Sequence, residues 1–270
     1  MNTNKERMRV RGVIFDLGGT LVDKYSLSPL KSLHYALLKN NYYFTLPQIN
    51  VFMGMSKPIH IRALIIEYYR ESHRTSLEID LPLKVKPVYE DFQREQMRLL
   101  REGVEILPGI KDTYTYLREN DIKIGVTTGY AQQETDIIIN HLREEGMEFD
   151  SVISSDQVKD SRPSPDMVLK AISQMQIEEM CSSSVIKVDD SLYGLKEGLR
   201  GGCTTVGVAR YSCMMNVMSM CRGRGREDVE EISEFELEMR CDRLKEQMLD
   251  IGSHYAIDSV ASLPSLIDSL

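Results

Sequence analysis

Three short motifs carry side chains that can do chemistry, and each follows a run rich in β-branched residues. Asp16-Leu17-Gly18-Gly19-Thr20 puts a carboxylate at the end of VIFD and ahead of a glycine turn. A carboxylate so placed can attack an electrophile while the amides after it receive anionic oxygens, although an ordinary Asx-turn uses the same residues. Thr127-Thr128-Gly129-Tyr130 offers a phosphate one hydroxyl and several amides, or else caps a strand-to-helix turn. Asp189-Asp190 closes a third run. Paired strand-end carboxylates suit Mg²⁺, which takes oxygen ligands and keeps several waters; turn capping is the other use of such a pair.

Strands must hold these motifs, and the β-rich runs fall at 10–17, 122–129, 151–156, 184–191 and 204–208. Helical patterns alternate with them, for example at 111–120 and 165–175. Such alternation predicts right-handed βαβ units and an α/β fold with a doubly wound, Rossmann-like parallel sheet. Ligands of these sheets bind beyond the carboxyl ends of the strands, where Asp16, Thr128 and Asp190 fall. Residues 25–103 break the alternation, with helical patterns at 28–39, 58–69 and 85–100 and no comparable strand. That insert predicts a helical cap over the crevice, so the expected division is a core of 1–24 and 104–270 and a cap of 25–103. The charge-rich stretch 221–248 reads as a solvated helical hairpin.

Composition narrows the function classes. With 33 Lys plus Arg against 41 Asp plus Glu, the net charge is −8, which counts against a basic nucleic-acid-binding face. A chain 42 % hydrophobic and 27 % charged can bury a core, so disordered and fibrous classes are excluded. Five cysteines at 181, 203, 213, 221 and 241 make an odd number without CxxC spacing, which predicts reduced thiols rather than a disulfide framework or a zinc site. No apolar run reaches the ~18 residues of a membrane span, and the first residues do not read as a signal peptide. A cytoplasmic location follows as the expectation.

In this order, the motifs resemble the haloacid dehalogenase superfamily of aspartate-nucleophile phosphotransferases. The chain is more specifically similar to the phosphonoacetaldehyde hydrolase (phosphonatase) family. VIFDLGGTLVD, Ser28-Pro29-Leu30 and the stretch Met53-Gly54-Met55-Ser56-Lys57-Pro58-Ile59-His60-Ile61-Arg62-Ala63-Leu64 carry the likeness, the last resembling the family's motif around its Schiff-base lysine. IKIGVTTGY, Arg162-Pro163, IKVDDS, KEG at 196–198, TTVGV and Gly252-Ser253-His254-Tyr255 extend it over nearly the whole chain. The resemblance implies hydrolysis of a C–P bond through an imine. It casts Asp16 as nucleophile and Lys57 as the imine-forming lysine, with His60 close enough to shuttle protons. Mg²⁺ would be held by Asp16, Asp190 and the Gly18 carbonyl. Thr128, Gly129 and Arg162 would meet the phosphonate, while Met53 and Tyr130 would surround the lysine. A small phosphonate substrate and a homodimer through the cap also follow, and Leu30, Leu33 and Leu37 offer an apolar stripe for the dimer.

Physical chemistry adds two expectations. An imine-forming lysine must be neutral, so its pKa must fall from ~10.4, and a helix start next to Pro58 disfavours an ammonium. Superfamily phosphatases place a second aspartate two residues after the nucleophile to protonate the leaving alcohol. Gly18 stands there and transfers no proton, which disfavours the rival reading of a phosphatase acting on a small phosphate ester. A weakly active or non-catalytic relative is the other rival, because three residues depart from the family pattern. Gly194 replaces an aspartate, Asp189 replaces a glycine, and Ser26 replaces a cysteine. Strand alternation predicts that Asp190 is the ligand while Asp189 faces the turn or a helix end. Loss of the carboxylate at 194 then predicts weak Mg²⁺ binding, tightened by Gly194→Asp.

Overall fold

A computed structural model describes residues 9–71, 80–217 and 232–270. Six parallel strands form its sheet: β1 (Gly12–Phe15), β2 (Lys123–Thr127), β3 (Ser151–Ile153), β4 (Val185–Asp189), β5 (Thr204–Val208) and β6 (Tyr255–Ile257). Their order is β3-β2-β1-β4-β5-β6. Strand order therefore reverses between β1 and β4, and that switch point opens the crevice in which such sheets bind ligands. Phe15 pairs with Val188 in the register, so the residues following β1 and β4 emerge side by side. β1 is buried along its whole length, as its unbroken apolar run requires in a sheet covered on both faces.

Period-two alternation sends Val13 and Phe15 into one core layer and Ile14 into the other. The first layer includes Leu117 of α5 (Ile110–Glu119), Ile138 of α6 (Gln132–Glu144) and Leu263 of α10 (Leu263–Ser269). The second packs on Met167, Val168 and Ala171 of α7 (Asp166–Gln174). α8 (Leu192–Arg200) connects β4 to β5, and α9 (Glu234–Asp250) precedes β6. The doubly wound α/β expectation holds.

The insert after β1 holds α1 (Leu27–Lys39), α2 (Leu46–Asn50), α3 (Lys57–Glu71) and α4 (Leu81–Glu102). They bury a core of their own, in which Leu33 and Leu37 of α1 meet Ile61 and Ile65 of α3 and Phe92 of α4. Two linkers join the cap to the sheet and pair with each other: the Asp23 N–H donates to the Glu105 carbonyl and the Leu107 N–H to the Leu21 carbonyl, both at 2.9 Å. Three non-glycine residues of the first linker, Asp23, Tyr25 and Ser26, hold left-handed backbone with φ of 55°, 64° and 50°. The Asp23 carboxylate accepts the Ser28 N–H, which satisfies one orphan donor at the start of α1.

Several expectations change here. β1 to β4 are shorter than their apolar runs, because the final residues of those runs turn out of the sheet, whereas β5 matches its run at 204–208. β6 escapes sequence reading because it is a three-residue, half-buried edge strand. α9 packs Cys241, Leu244 and Met248 into the core, so this part of 221–248 is no freely solvated hairpin; residues 221–231 lie outside the described residues. Leu30, Leu33 and Leu37 are spent inside the cap and cannot form a dimer surface. Cys181, Cys203, Cys213 and Cys241 are free thiols, and Cys221 lies outside the described residues. Among the described residues no helix is long and apolar enough to cross a membrane. Leu33 is fully buried between cap helices, so Leu33→Ala should cost about 2–5 kcal/mol, read as an earlier transition in urea unfolding.

Candidate active site

β1 ends one residue before Asp16, whose N–H still donates to the Val188 carbonyl at 3.0 Å. Its side chain therefore leaves the sheet at the switch point, and β4 delivers Asp189 and Asp190 beside it. Ligand oxygens of Asp16, Asp189 and Asp190 all lie within 4.8 Å of one another, and all three residues are buried. Gly19 is obligatory in the turn that follows. It holds φ +73°, and a Cβ there would lie 2.4 Å from Asp190 Oδ2. The amides of residues 19–22 are engaged within the turn, so those of Leu17 and Gly18 remain to receive an anion.

Burial and the neighbouring Asp189 push the Asp16 carboxyl up to about 6, against the pull of Arg162 and Lys187. Burial, then Asp16 and Asp189, raise Asp190 well above the usual carboxylate range. Asp190 is also positioned by the chain after β5, since its Oδ2 accepts the Cys213 N–H at 2.7 Å. Arg162 is almost wholly buried and clamps the cluster from below. Its Nη2 lies 2.9 Å from Asp16 Oδ1 and 3.2 Å from Asp189 Oδ2, and donates to the Thr127 carbonyl at 2.7 Å. Its Nε donates to Glu197 Oε2 at 2.8 Å. Lys187 adds a second cation, 2.8 Å from Asp189 Oδ2.

Asp189 does two things at once. Its Oδ1 accepts the Ser191 N–H and hydroxyl, at 3.0 and 2.8 Å, which ties it to the start of α8 as expected. Its Oδ2 turns into the carboxylate cluster, contrary to the expectation that it stays away. Gly194 explains how. A Cβ built there would lie 1.9 Å from Asp189 Oδ2 and 2.1 Å from its Cγ. The Asp189 carboxylate thus fills the space that a side chain at 194 would need. The two departures from the family pattern form one compensated exchange, and adding an aspartate at 194 alone would overfill the site.

The cap closes the crevice through two glycines. Gly54 holds φ +93°, and a Cβ there would lie 2.5 Å from Ser191 Oγ. On the facing side, a Cβ at Gly129 would meet the carbonyl oxygens of Gly54 and Met55, each at 3.1 Å. Bare backbone on both sides lets the cap loop sit on the core. The Thr128 amide donates to Ile153 and the Tyr130 amide to Thr128 Oγ1, so the turn offers an anion only the Gly129 amide, fewer than expected.

Lys57 opens α3 and points into the crevice, nearly buried. Its Nζ donates weakly to Met53 Sδ at 3.6 Å and stands 5.9 Å from the centre of the Phe92 ring. Burial, the leading cause, lowers its pKa to about 8. Tyr130 presents a buried hydroxyl without a partner, held protonated by burial and four surrounding carboxylates. A Cβ at Gly18 would approach Ser26 Oγ to 3.0 Å, a tight contact, and Tyr130 Oη to 3.6 Å, an ordinary one, so both hydroxyls border this position. One small cavity of about 30 Å³ gathers every candidate residue except His60. His60 sits behind it: its Nε2 donates to the Ile49 carbonyl at 2.8 Å, its Nδ1 has no partner, and burial keeps the ring neutral.

A family profile described as haloacid dehalogenase-like hydrolase matches residues 13–208. A phosphonoacetaldehyde hydrolase of Bordetella avium is 31 % identical over 268 residues, covering 97 % of this chain and 91 % of that one. The chain belongs to the phosphonoacetaldehyde hydrolase family of haloacid dehalogenase-like hydrolases. A phosphonoacetaldehyde hydrolase of Bacillus cytotoxicus is 29 % identical over 263 residues, covering 97 % of this chain and 96 % of that one. A solved phosphonoacetaldehyde hydrolase-like protein from Oleispira antarctica superposes with a TM-score of 0.83 at 28 % identity, over 97 % of this chain and 93 % of that one.

Haloacid dehalogenase hydrolases typically use Mg²⁺, and the donor set fits that ion. Asp16, Asp189, Asp190 and Glu197 stand against Arg162 and Lys187, so with every carboxylate ionised two buried negative charges are left for a dication to balance, which would offset the burial that otherwise raises Asp16 and Asp190. Lys187 and Glu197 escaped sequence reading as site residues. The signal was present, since a lysine amid a buried parallel strand has no place unless it is paired. Asp189→Gly should weaken Mg²⁺ binding about 10–100-fold in calorimetric titration. Gly194→Asp alone should weaken it too and lower the melting temperature, whereas the double variant should recover most of both losses. A Gly194→Asp protein that binds Mg²⁺ more tightly than the parent would refute the compensated exchange.

Proposed function

We propose that this chain hydrolyses the C–P bond of phosphonoacetaldehyde to acetaldehyde and phosphate. One observation carries the reading: a dehydrated lysine amine and a buried strand-end carboxylate line one small crevice. The names of the relatives support the same substrate. A phosphonate carbon has no oxyanion to leave on, so the departing electron pair needs a sink. Lys57, neutral in part at physiological pH, adds to the aldehyde, and loss of water gives an iminium. Asp16 attacks phosphorus, the C–P pair moves into the iminium, and an enamine leaves as the aspartyl-phosphate forms. Protonation of the enamine at carbon and hydrolysis free acetaldehyde and Lys57, and water cleaves the acyl phosphate. Mg²⁺, when bound by Asp16, Asp190 and either the Gly18 carbonyl or Asp189, supplies positive charge to the transferring group.

The other residues prepare this chemistry. Arg162 fixes the Asp16 carboxylate and faces the phosphonate oxygens, which the Gly129 amide and the Thr128 hydroxyl meet from the opposite side. Met53 and Tyr130 flank the lysine. His60 acts through its ring's anchorage to Ile49, which holds α2 against α3, and only Nδ1 is open for proton transfer. Gly18 argues against the phosphatase alternative, because glycine carries no acid to protonate a leaving alcohol.

Borohydride with phosphonoacetaldehyde or acetaldehyde should leave a two-carbon adduct on the peptide containing Lys57, and Lys57→Arg should be inactive because guanidinium stays protonated. An active enzyme with Lys57 unlabelled would overturn the imine. Asp16→Asn should abolish phosphate release while leaving trapping intact. Since neutral amine is required and burial sets the lysine near 8, trapping should rise with pH and level off above that value.

A further inference from the structure

Glu134 is a buried carboxylate that the chemistry above does not use, and unlike the buried Asp91, which pairs with Lys39 and Arg94, it has no ion pair of its own among the described residues. It lies in the first turn of α6, where an acidic residue ordinarily sits in water and favours the helix dipole. Here it is 1 % exposed, and its Oε2 has no hydrogen-bond partner. A buried carboxylate oxygen without a donor is costly and rare; burial raises the Glu134 carboxyl above its usual range, and a cation nearby is what favours its ionised form. Helix α6 packs against α4 of the cap, which brings this core residue to the cap boundary. The groups acting on it are Asp156, Tyr89 of α4, Tyr130 and Lys57, and Lys57 is the one cation among them.

The lysine is short of partners on its own side. Its one hydrogen bond goes to a thioether, a weak acceptor. The titratable groups whose charge reaches it are Cys213 after β5, Glu134, Asp16 at the end of β1, Arg162, and His60 of its own helix. Burial holds the Cys213 thiol and the His60 ring neutral. Asp16 is already clamped by Arg162. Glu134 therefore remains as the anion not committed elsewhere.

We propose that Glu134 is a positioning residue, a core-borne counter-charge for the Lys57 cation that acts across the closed cap boundary. Before reaction it balances the ammonium, and in the reaction proposed above it balances the iminium, so the electron sink forms where its charge is met. Because Lys57 rides on the cap and Glu134 on the core, opening the cap separates them. The proton on Lys57 is then tied to closure.

The test measures Lys57 directly, by competitive acetylation of the folded enzyme across pH with peptide mass spectrometry. In the parent, half-reaction should fall near pH 8. Glu134→Gln should move it at least about half a unit lower, since an opposing charge has been removed. The acid limb of borohydride trapping should move by the same amount. A Lys57 profile identical in both proteins overturns the proposal. Should Glu134→Gln not fold, Lys57→Met serves instead: coupling is reciprocal, so the infrared carboxyl titration of Glu134 must move upward, and no movement refutes it. This inference shares its iminium half with the proposed C–P hydrolysis. Failure of that reading shows separately, as parent enzyme that no aldehyde labels at any pH while the acetylation shift persists.

Discussion

Like charges held together out of water are the constraint around which this molecule is arranged. Asp16 and Asp190 emerge from adjacent strands because β1 and β4 pair at the sheet's switch point, and Asp189 joins them from the end of β4. In an interior of low dielectric such a cluster is tolerable only if cations lie within hydrogen-bond reach. Arg162 and Lys187 supply two of them, and Glu197 in turn holds Arg162. The sheet order, the buried lysine within β4 and the arginine before α7 all answer to that one electrostatic requirement. It also makes the site a natural seat for a divalent ion and a phosphorus oxyanion.

The cap answers a different need. A lysine in water is an ammonium, and removal of solvent is the largest cause that makes the Lys57 amine available near neutral pH. The four cap helices therefore form a separate apolar core that sets Lys57 at one helix start, beneath the Phe92 ring. Gly54 and Gly129 let the two domains approach backbone to backbone. Specific chemistry here is a matter of dryness as much as of which residues are present.

Much of this was legible in the chain. Alternating β-rich and helical runs disclose the parallel sheet and the insert, and the strand-end carboxylates point to the crevice. Lys57 was legible only through the motif around it, since a lysine beside a proline otherwise reads as surface. What stayed hidden depended on side chains meeting across distant segments. Asp189 seemed turned away because strand alternation was extended past the point where β4 ends. The apolar stripe of α1 looked free for a dimer because nothing local shows that α3 and α4 cover it. His60 lies near Lys57 in sequence, yet its ring is fastened to the Ile49 carbonyl.

The mutual exclusion of a carboxylate at 189 and a side chain at 194 bears on how such a chain changes over generations. One arrangement carries the acid on the strand and a bare position on the helix; the alternative carries them the other way round. A lineage moving between them by single substitutions must pass through a protein with both groups, which collide, or with neither, which takes from Lys187 its 2.8 Å partner and from Arg162 one of its three carboxylates. A change at either position is therefore felt at the other, so the history of one is written into the other.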